Sequence, residues 1–238
     1  MNTCRKSKLV WGVCLAVLAL LLTYGAPNAA ADTADFDLVM TNLSGVVGPY
    51  VSVHIDRTDA THATITLTAL TNGGNTYLLG DGGTVGLNTN GAVTVSGISW
   101  TGGFDDGPGG SVDTAITVCG GGGCGTGFDG FGKFNLELDN TDGFKTAVNS
   151  VTFTLTLGSG SWADASSVLS ANKDGNRAAA HIFPSSFLGT CTGFAGEFTK
   201  SEGSTICTPI PEPATLTLLG SGLLLIGGKL RKKLVPKK

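Results

Sequence analysis

The stretch Val151-Thr-Phe-Thr-Leu-Thr-Leu157 alternates apolar and threonine side chains without interruption. Successive side chains of a β-strand point to opposite faces of its sheet, so this stretch predicts a strand with one buried and one hydrated face. The alternation recurs in four further stretches, at 51–56, 64–68, 93–96 and 133–139. Their Val, Ile and Thr content suits a pleated, half-buried surface. The middle of the chain is therefore predicted to be β-sheet.

Turn signals separate these stretches at close spacing, among them Asn72-Gly73-Gly74, Asn90-Gly91 and Asp174-Gly175. Asn-Gly and Asp-Gly pairs adopt the positive φ angles that tight hairpins need. One-sided strands hide their apolar faces by packing sheet against sheet. The predicted fold is therefore all-β, an antiparallel β-sandwich or jelly-roll-like domain.

Two segments of the domain do not follow the strand pattern. A short helix is predicted at 165–172, with Ser161 or Asp164 as its N-cap. The glycine-rich stretch 102–130 is low in complexity and is predicted to be a long loop.

The N-terminus has the three parts of a secretory signal peptide. Arg5, Lys6 and Lys8 precede an almost entirely apolar stretch at 9–23, and three alanines occupy 29–31. A positive start, a short apolar core and a small-residue cleavage site are typical of such signals. The apolar core is shorter than the roughly 20 residues that a membrane span needs. Residues 1–31 are therefore predicted to be removed before Asp32.

The C-terminus, residues 211–238, has its own ordered pattern. Pro211, Glu212 and Pro213 precede fifteen uncharged, mainly apolar residues at 214–228. As a helix this run would be about 22 Å long, and a basic tail follows it, with Lys229, Arg231, Lys232 and Lys233 at its start. Basic residues flanking a span stay in the cytoplasm, so a transmembrane helix is predicted with the preceding domain outside.

These three features in this order resemble the PEP-CTERM sorting signal of exported proteins in Gram-negative bacteria that make exopolysaccharide. The resemblance covers residues 211–238 and includes Gly220 and Gly222 within the span. It implies that the tail is recognised by exosortase, a membrane-embedded cysteine transpeptidase that cleaves near the motif, and is then removed. It also implies a protein anchored by its C-terminus before processing and placed at the cell surface or in the extracellular matrix afterwards.

The domain between the two ends, residues 32–210, is strongly acidic. It keeps six Lys or Arg and seventeen Asp or Glu residues, a net charge of −11. Such a surface is repelled by phosphate backbones, so nucleic acid is excluded as a partner. The same charge favours solubility outside the cell.

Four cysteines remain in this domain: Cys119, Cys124, Cys191 and Cys207. They permit three disulfide pairings, and export to an oxidising compartment favours disulfide bonds. Proximity in the sequence favours Cys119–Cys124 and Cys191–Cys207. A zinc site is the alternative, although no histidine lies near Cys119 and Cys124.

The motifs for catalysis are missing from the sequence, and no catalytic residue is predicted. His54, His62 and His181 are the three histidines, and they are expected to be core or surface residues, with His54 paired to Asp56. The chain contains no Gly-x-Ser-x-Gly elbow, HExxH motif or P-loop. The protein is therefore predicted not to be an enzyme.

No cofactor is predicted, and calcium is the one metal for which the sequence offers candidates. Asp139 and Asp142 cluster carboxylates in a turn that follows a predicted strand, and Asp105-Asp106 precedes another glycine-rich loop. Calcium prefers carboxylate and carbonyl oxygens on a flexible loop, but Asp-Gly turns also form without any ion.

Two functions of different class fit the sequence. The first is a non-catalytic structural or interaction protein of the envelope or matrix. The second is a carbohydrate-binding or polysaccharide-active jelly-roll protein, for which Trp100 and Trp162 are candidate sugar contacts and exopolysaccharide a candidate ligand. A glycoside hydrolase would need two carboxylates about 5–10 Å apart, here near an exposed aromatic side chain.

Overall fold

The computed structural model describes residues 31–80, 84–102, 104–105, 116–120, 127–140, 146–187, 191–198, 205–207 and Ser221. Within these residues the domain is all-β and mostly antiparallel. All of the predicted signal peptide except Ala31, and all of the predicted C-terminal span except Ser221, lie outside the described residues.

The first sheet contains five described strands: β1 (Asp32–Leu38), β4 (Val51–Arg57), β5 (His62–Ala69), β9 (Val93–Thr101) and β14 (Ser150–Leu157). Their order is β1-β4-β5-β14-β9, and every neighbouring pair is antiparallel. β14, the stretch with the cleanest alternation, is a central strand whose apolar side chains are all buried. The stretches at 51–56, 64–68 and 93–96 also lie in strands, and 133–139 does so only from Leu136 onward.

The second sheet contains β2 (Met40–Thr41), β7 (Asn75–Leu79), β8 (Val85–Leu87), β11 (Ile116–Gly120), β12 (Leu136–Asn140), β15 (Ala178–Pro184) and β16 (Gly193–Gly196), with β6 (Thr71–Asn72) paired to β7. Its main order is β11-β12-β8-β15-β16-β2. Two small pairs complete the described strands: β10 (Phe104–Asp105) with β13 (Thr146–Ala147), and β3 (Leu43–Ser44) with β17 (Thr205–Ile206).

One hydrophobic core lies between the two sheets. Val53, Ile65 and Phe153 from the first sheet belong to the same cluster of buried side chains as Leu138 and Ile182 from the second. The apolar faces predicted from the alternation therefore pack against each other. This burial supplies the main driving force for folding.

The outer face of the second sheet is covered by an aromatic loop that the sequence pattern does not reveal. Phe128, Phe131 and Phe134 pack on this face with Ala179. A Cβ atom at Gly86 would lie 2.6 Å from the Phe128 ring, so only glycine lets the loop approach so closely. The loop leaves both faces of the central strand β15 buried.

The prediction of a strand with a hydrated face at 133–139 is wrong in part, because the aromatic loop lies over this sheet. The strand begins only at Leu136, and Glu137, expected on a hydrated face, is 3% exposed. The prediction of one long loop at 102–130 is also wrong in part, because Ile116–Gly120 pairs with β12 over five residues.

The predicted helix at 165–172 is shorter than expected. The structure has a 3-10 turn at Ala165–Ser167, and Asp164 caps it as predicted by accepting a hydrogen bond from the Ser167 amide. The chain does not continue as a helix because Ser170 N–H donates to the Asn88 carbonyl and Leu169 forms a β-bridge to Thr89.

Candidate functional site

The chain leaves the domain at a corner formed by residues 38–50 and 205–207 and fixed by a disulfide bond. We call this surface the exit corner. Strand β17 runs parallel to β3, with Thr205 opposite Leu43 and Ile206 opposite Ser44. The next residue, Cys207, is bonded to Cys191, with 5.4 Å between their Cα atoms. The predicted Cys191–Cys207 pairing is therefore confirmed, and it joins the end of the domain to the loop before β16.

Two tyrosines hold the loop that follows β3 in this corner. The Tyr77 hydroxyl donates to the Val47 carbonyl over 2.7 Å, and the Val47 amide donates back to it over 3.0 Å. The Tyr50 ring meets Tyr77 edge-on, with 4.7 Å between centroids. Burial raises the pKa of both hydroxyls above the ordinary value of 10. The corner is therefore a neutral, well-packed structure at neutral pH.

A hairpin and a 3-10 turn hold the loop of the exit corner in place. Asn72 donates through its side chain to the Pro49 carbonyl over 2.6 Å. Asn75 accepts through its side chain from the Ser186 amide over 3.0 Å. These contacts tie the hairpin between β6 and β7 to the loop at 45–50 on one side and to the turn Ser185–Phe187 on the other. The same turn continues toward the disulfide, because Cys191 N–H donates to the Phe187 carbonyl.

A cleft lies elsewhere, near the opposite end of the second sheet. It has a volume of about 800 Å³ and is lined by residues of the loops 88–93, 132–136 and 171–174. Asn135 fixes the loop 88–93 through two 2.8 Å hydrogen bonds with the Thr89 backbone. Lys133 and Lys173 are exposed on the lining, and Asp174 is the one carboxylate among the described lining residues.

The two candidate tryptophans do not form an exposed sugar platform. Trp162 is 2% exposed and donates through its ring nitrogen to the Asn90 carbonyl over 2.9 Å. Trp100 is half-buried and packs against the main core. Neither lines the cleft. Phe198, 60% exposed, is the only exposed aromatic side chain among those described.

The three histidines occupy structural positions. His54 lies 2.6 Å from the carboxylate of Asp35 on the neighbouring strand, so the predicted partner, Asp56, is wrong. This follows from the register, which places His54 directly opposite Asp35. His62 pairs with Asp59 at 2.9 Å. His181 is 7% exposed, and its Nε2 is hydrogen-bonded to the Thr192 hydroxyl.

The remaining predicted ligands stay untested. Cys119 lies in β11, while its predicted partner Cys124 lies outside the described residues. Asp139 is half-buried in β12, and Asp142 likewise lies outside the described residues. Within the described part of the chain, no group of three or more His, Cys, Asp or Glu side chains is placed to hold a metal ion.

The sequence did not anticipate the buried charges and amides that hold the chain ends and loops. Arg57, 3% exposed, donates to the Asp32 carboxylate over 2.6 Å. Arg177 forms an ion pair of 2.7 Å with Glu197. Asn176 is fully buried and connects two backbone segments. Only the three-dimensional packing shows that Arg57, Asn176 and Glu197 are buried.

Comparison with protein families gives one match: the PEP-CTERM protein-sorting motif, at residues 209–233. The chain is a PEP-CTERM domain-containing protein. Its motif begins two residues after Cys207, so the sorting signal follows directly on the disulfide-fixed corner. The matched range contains Pro211, Glu212 and Pro213, together with Lys229, Arg231, Lys232 and Lys233. Neither the curated proteins nor the solved structures include a match to this PEP-CTERM protein.

The motif implies processing by exosortase, export and C-terminal sorting to the cell surface. The sorting residues themselves lie outside the described residues. In the described part of this PEP-CTERM protein, no helix is long and apolar enough to cross a membrane.

Proposed function

We propose that this protein is an exosortase substrate whose exported domain is a non-catalytic structural or interaction module of the envelope or extracellular matrix. Residues 1–31 act as a cleaved signal peptide, and 214–228 act as a transient membrane anchor until the tail is removed. The observation that carries the proposal is the position of the sorting motif, which starts at residue 209, immediately after the domain closes at Cys207.

The shape of the domain supports an interaction role. The shared core supports a jelly-roll-like sandwich, in which the outward residues of the first sheet are half-buried or exposed. Register places Thr68, Ser150 and Thr101 in one row across that face. Thr66, Thr152 and Ser99 form the next row, and the Thr66 and Thr152 hydroxyls lie 3.0 Å apart. A broad surface of hydroxyls suits hydrogen bonding to a hydrated matrix.

The proposal is tested by following the tail in cells that contain exosortase. The unsubstituted protein is expected to lose its C-terminal peptide, as seen by mass spectrometry, and to appear in the surface or matrix fraction. Replacement of Pro211, Glu212 and Pro213 by alanine is expected to leave the full-length chain in the membrane fraction. Thr208→Ala, one residue before the matched range, is the control, which should be processed normally. Identical processing of the triplet variant would refute the proposal.

A carbohydrate-binding role is the second candidate, and the cleft favours it. Lys133 and Lys173 are two of only six cationic residues in 32–210, and both lie on the cleft lining. They would attract an acidic polysaccharide that the rest of the surface repels. A glycan array with the mature protein, repeated with Lys133→Ala/Lys173→Ala, tests this role. Loss of uronate-bearing hits in the variant would support it, and an array without hits would exclude it.

A further inference from the structure

The corner through which the chain leaves the domain is close to the membrane anchor. Four Cα–Cα steps separate Cys207 from Pro211, a reach of at most about 14 Å, and seven steps separate it from residue 214, at most about 25 Å. The head-group layer occupies roughly 5–7 Å of that distance. A compact domain of this length has a radius of gyration of about 16 Å, and hence a diameter of roughly 40 Å. The tether is therefore too short for the domain to turn its opposite end to the bilayer.

Three segments that meet at this corner carry no formal charge, whereas 197–204, which precedes β17, contains Glu197, Lys200 and Glu202. No Asp, Glu, Lys or Arg occurs in 38–53, 60–80 or 178–196, although 32–210 contains twenty-three such residues. These segments meet at the corner through the hydrogen bonds of Val47, Asn72 and Asn75. An acidic side chain pressed against an anionic membrane surface would be repelled and would lose hydration. A neutral corner avoids both costs.

The corner also exposes apolar side chains. Val39, Met40 and Val47 are 50%, 41% and 60% exposed, and they are three of the five large apolar side chains that are exposed in the described part of the chain. All three lie within four residues of β3, the strand that pairs with β17. All three belong to the segment 38–50, and exposed apolar side chains are what a contact with a membrane or another protein would cover.

The opposite end of the first sheet has the opposite character. Asp32, Asp56 and Asp59 lie where β1 and β5 begin and β4 ends, and Asp164 caps the 3-10 turn beside Asp32. Asp37 and Asp105 lie at the corner end of the first sheet, so acidic residues are more numerous at the far end but are not confined to it. This uneven distribution favours an orientation with the far end away from an anionic surface.

We propose that the exit corner, formed by residues 38–50 and 205–207, is the surface through which the anchored domain lies against the lipid head groups. The inference rests on the membrane anchor of the proposed function. It commits to the bilayer as the occupant because the tether length requires that neighbour whether or not exosortase is present. Exosortase would therefore meet its cleavage site at an already oriented domain.

The test uses the full chain after signal removal, reconstituted in vesicles whose lipids carry bromine near the head group. Val47→Trp reports from the corner, and Met40→Trp is a second reporter on the same surface should the first disturb the loop. Thr94→Trp, on an exposed position at the opposite end of the first sheet, is the matched control. Native tryptophan fluorescence is subtracted with the unsubstituted chain.

We expect the corner reporters to be quenched severalfold more strongly than the reporter at position 94. Equal quenching at both ends, or none at the corner, would overturn the proposal. Shielding of the corner that requires added exosortase would also overturn it, in favour of a protein contact. Flotation of the vesicles tests the membrane anchor separately from the orientation. A chain that does not float with the vesicles refutes the anchor, whereas a floating chain with an unquenched corner refutes only the orientation.

Discussion

Loss of the Cys191–Cys207 bond is expected to destabilise the domain by an amount that the loop length sets. The two cysteines are 16 residues apart, and closing a loop of that size removes entropy from the unfolded chain worth about 3 kcal/mol. The total stability of a domain is about 5–15 kcal/mol, so the bond supplies a substantial part of it. With a urea dependence of about 2 kcal/mol per molar, the unfolding midpoint should fall by roughly 1.5 M.

The measurement is urea unfolding of the 32–210 fragment, which contains the whole described core, followed by the fluorescence of the buried Trp162. Replacing Cys119 and Cys124 by serine leaves one bond to test. The midpoint is then compared with and without reductant, and with Cys191→Ala/Cys207→Ala. Reductant should have no effect on the alanine variant, which serves as the control. A midpoint that stays unchanged while thiol titration shows the bond reduced would refute the entropic reasoning.

Three further predictions follow from individual contacts. Tyr50 and Tyr77 are the only tyrosines in residues 32–210, and both have raised pKa values. Because the folded pKa lies above the unfolded one, stability is lost as pH rises beyond about 10. Tyrosine absorbance at alkaline pH should therefore show no normally titrating tyrosine and should change together with unfolding. Asn176→Ala leaves buried backbone groups without their partners and should cost about 1–3 kcal/mol in urea unfolding, whereas an unchanged midpoint would contradict the buried role. Hydrogen bonds from the Thr61 amide and from His62 lower the pKa of Asp59, so the stabilising effect of the carboxylate is present above about pH 4 and is lost on acidification. Asp59→Asn should lower the melting temperature at pH 6 and reduce the fall of the melting temperature toward pH 2. Parallel curves of melting temperature against pH for both proteins would contradict this.

Four of the five strands of the first sheet could be predicted because the outward side of that sheet is hydrated; β1 was not predicted. Each of these four strands then alternates apolar and polar residues, as 151–157 does, and the alternation is visible without any knowledge of the partners. The pairing of Cys191 with Cys207 was also predictable, because both cysteines lie in the exported part of the chain, where disulfide bonds form, and are close in the sequence. In these cases, local pattern and compartment chemistry are sufficient.

The second sheet was harder to predict because both of its faces are covered. Ala178–Pro184 is buried at every position, so its sequence shows no period of two. The aromatic loop that covers it comes from a glycine-rich region whose composition suggested only a loop. Glu137 illustrates the consequence, since its alternating context predicted exposure and the loop buries it. Long-range cover of this kind leaves no signal in the neighbouring residues.

The described fold begins and closes beside the two predicted processing sites. Asp32, the first residue after the predicted cleavage point, already belongs to β1, and its carboxylate accepts hydrogen bonds from Arg57 Nε and the Ala165 amide. At the other end the disulfide at Cys207 closes the fold two residues before the sorting motif begins. A spacer at either end would move the cleavage sites away from the sheets and leave flexible peptide on the mature protein. Because Asp32 already lies in β1 and one residue separates Cys207 from the matched motif, the proposed processing would leave little chain outside the fold.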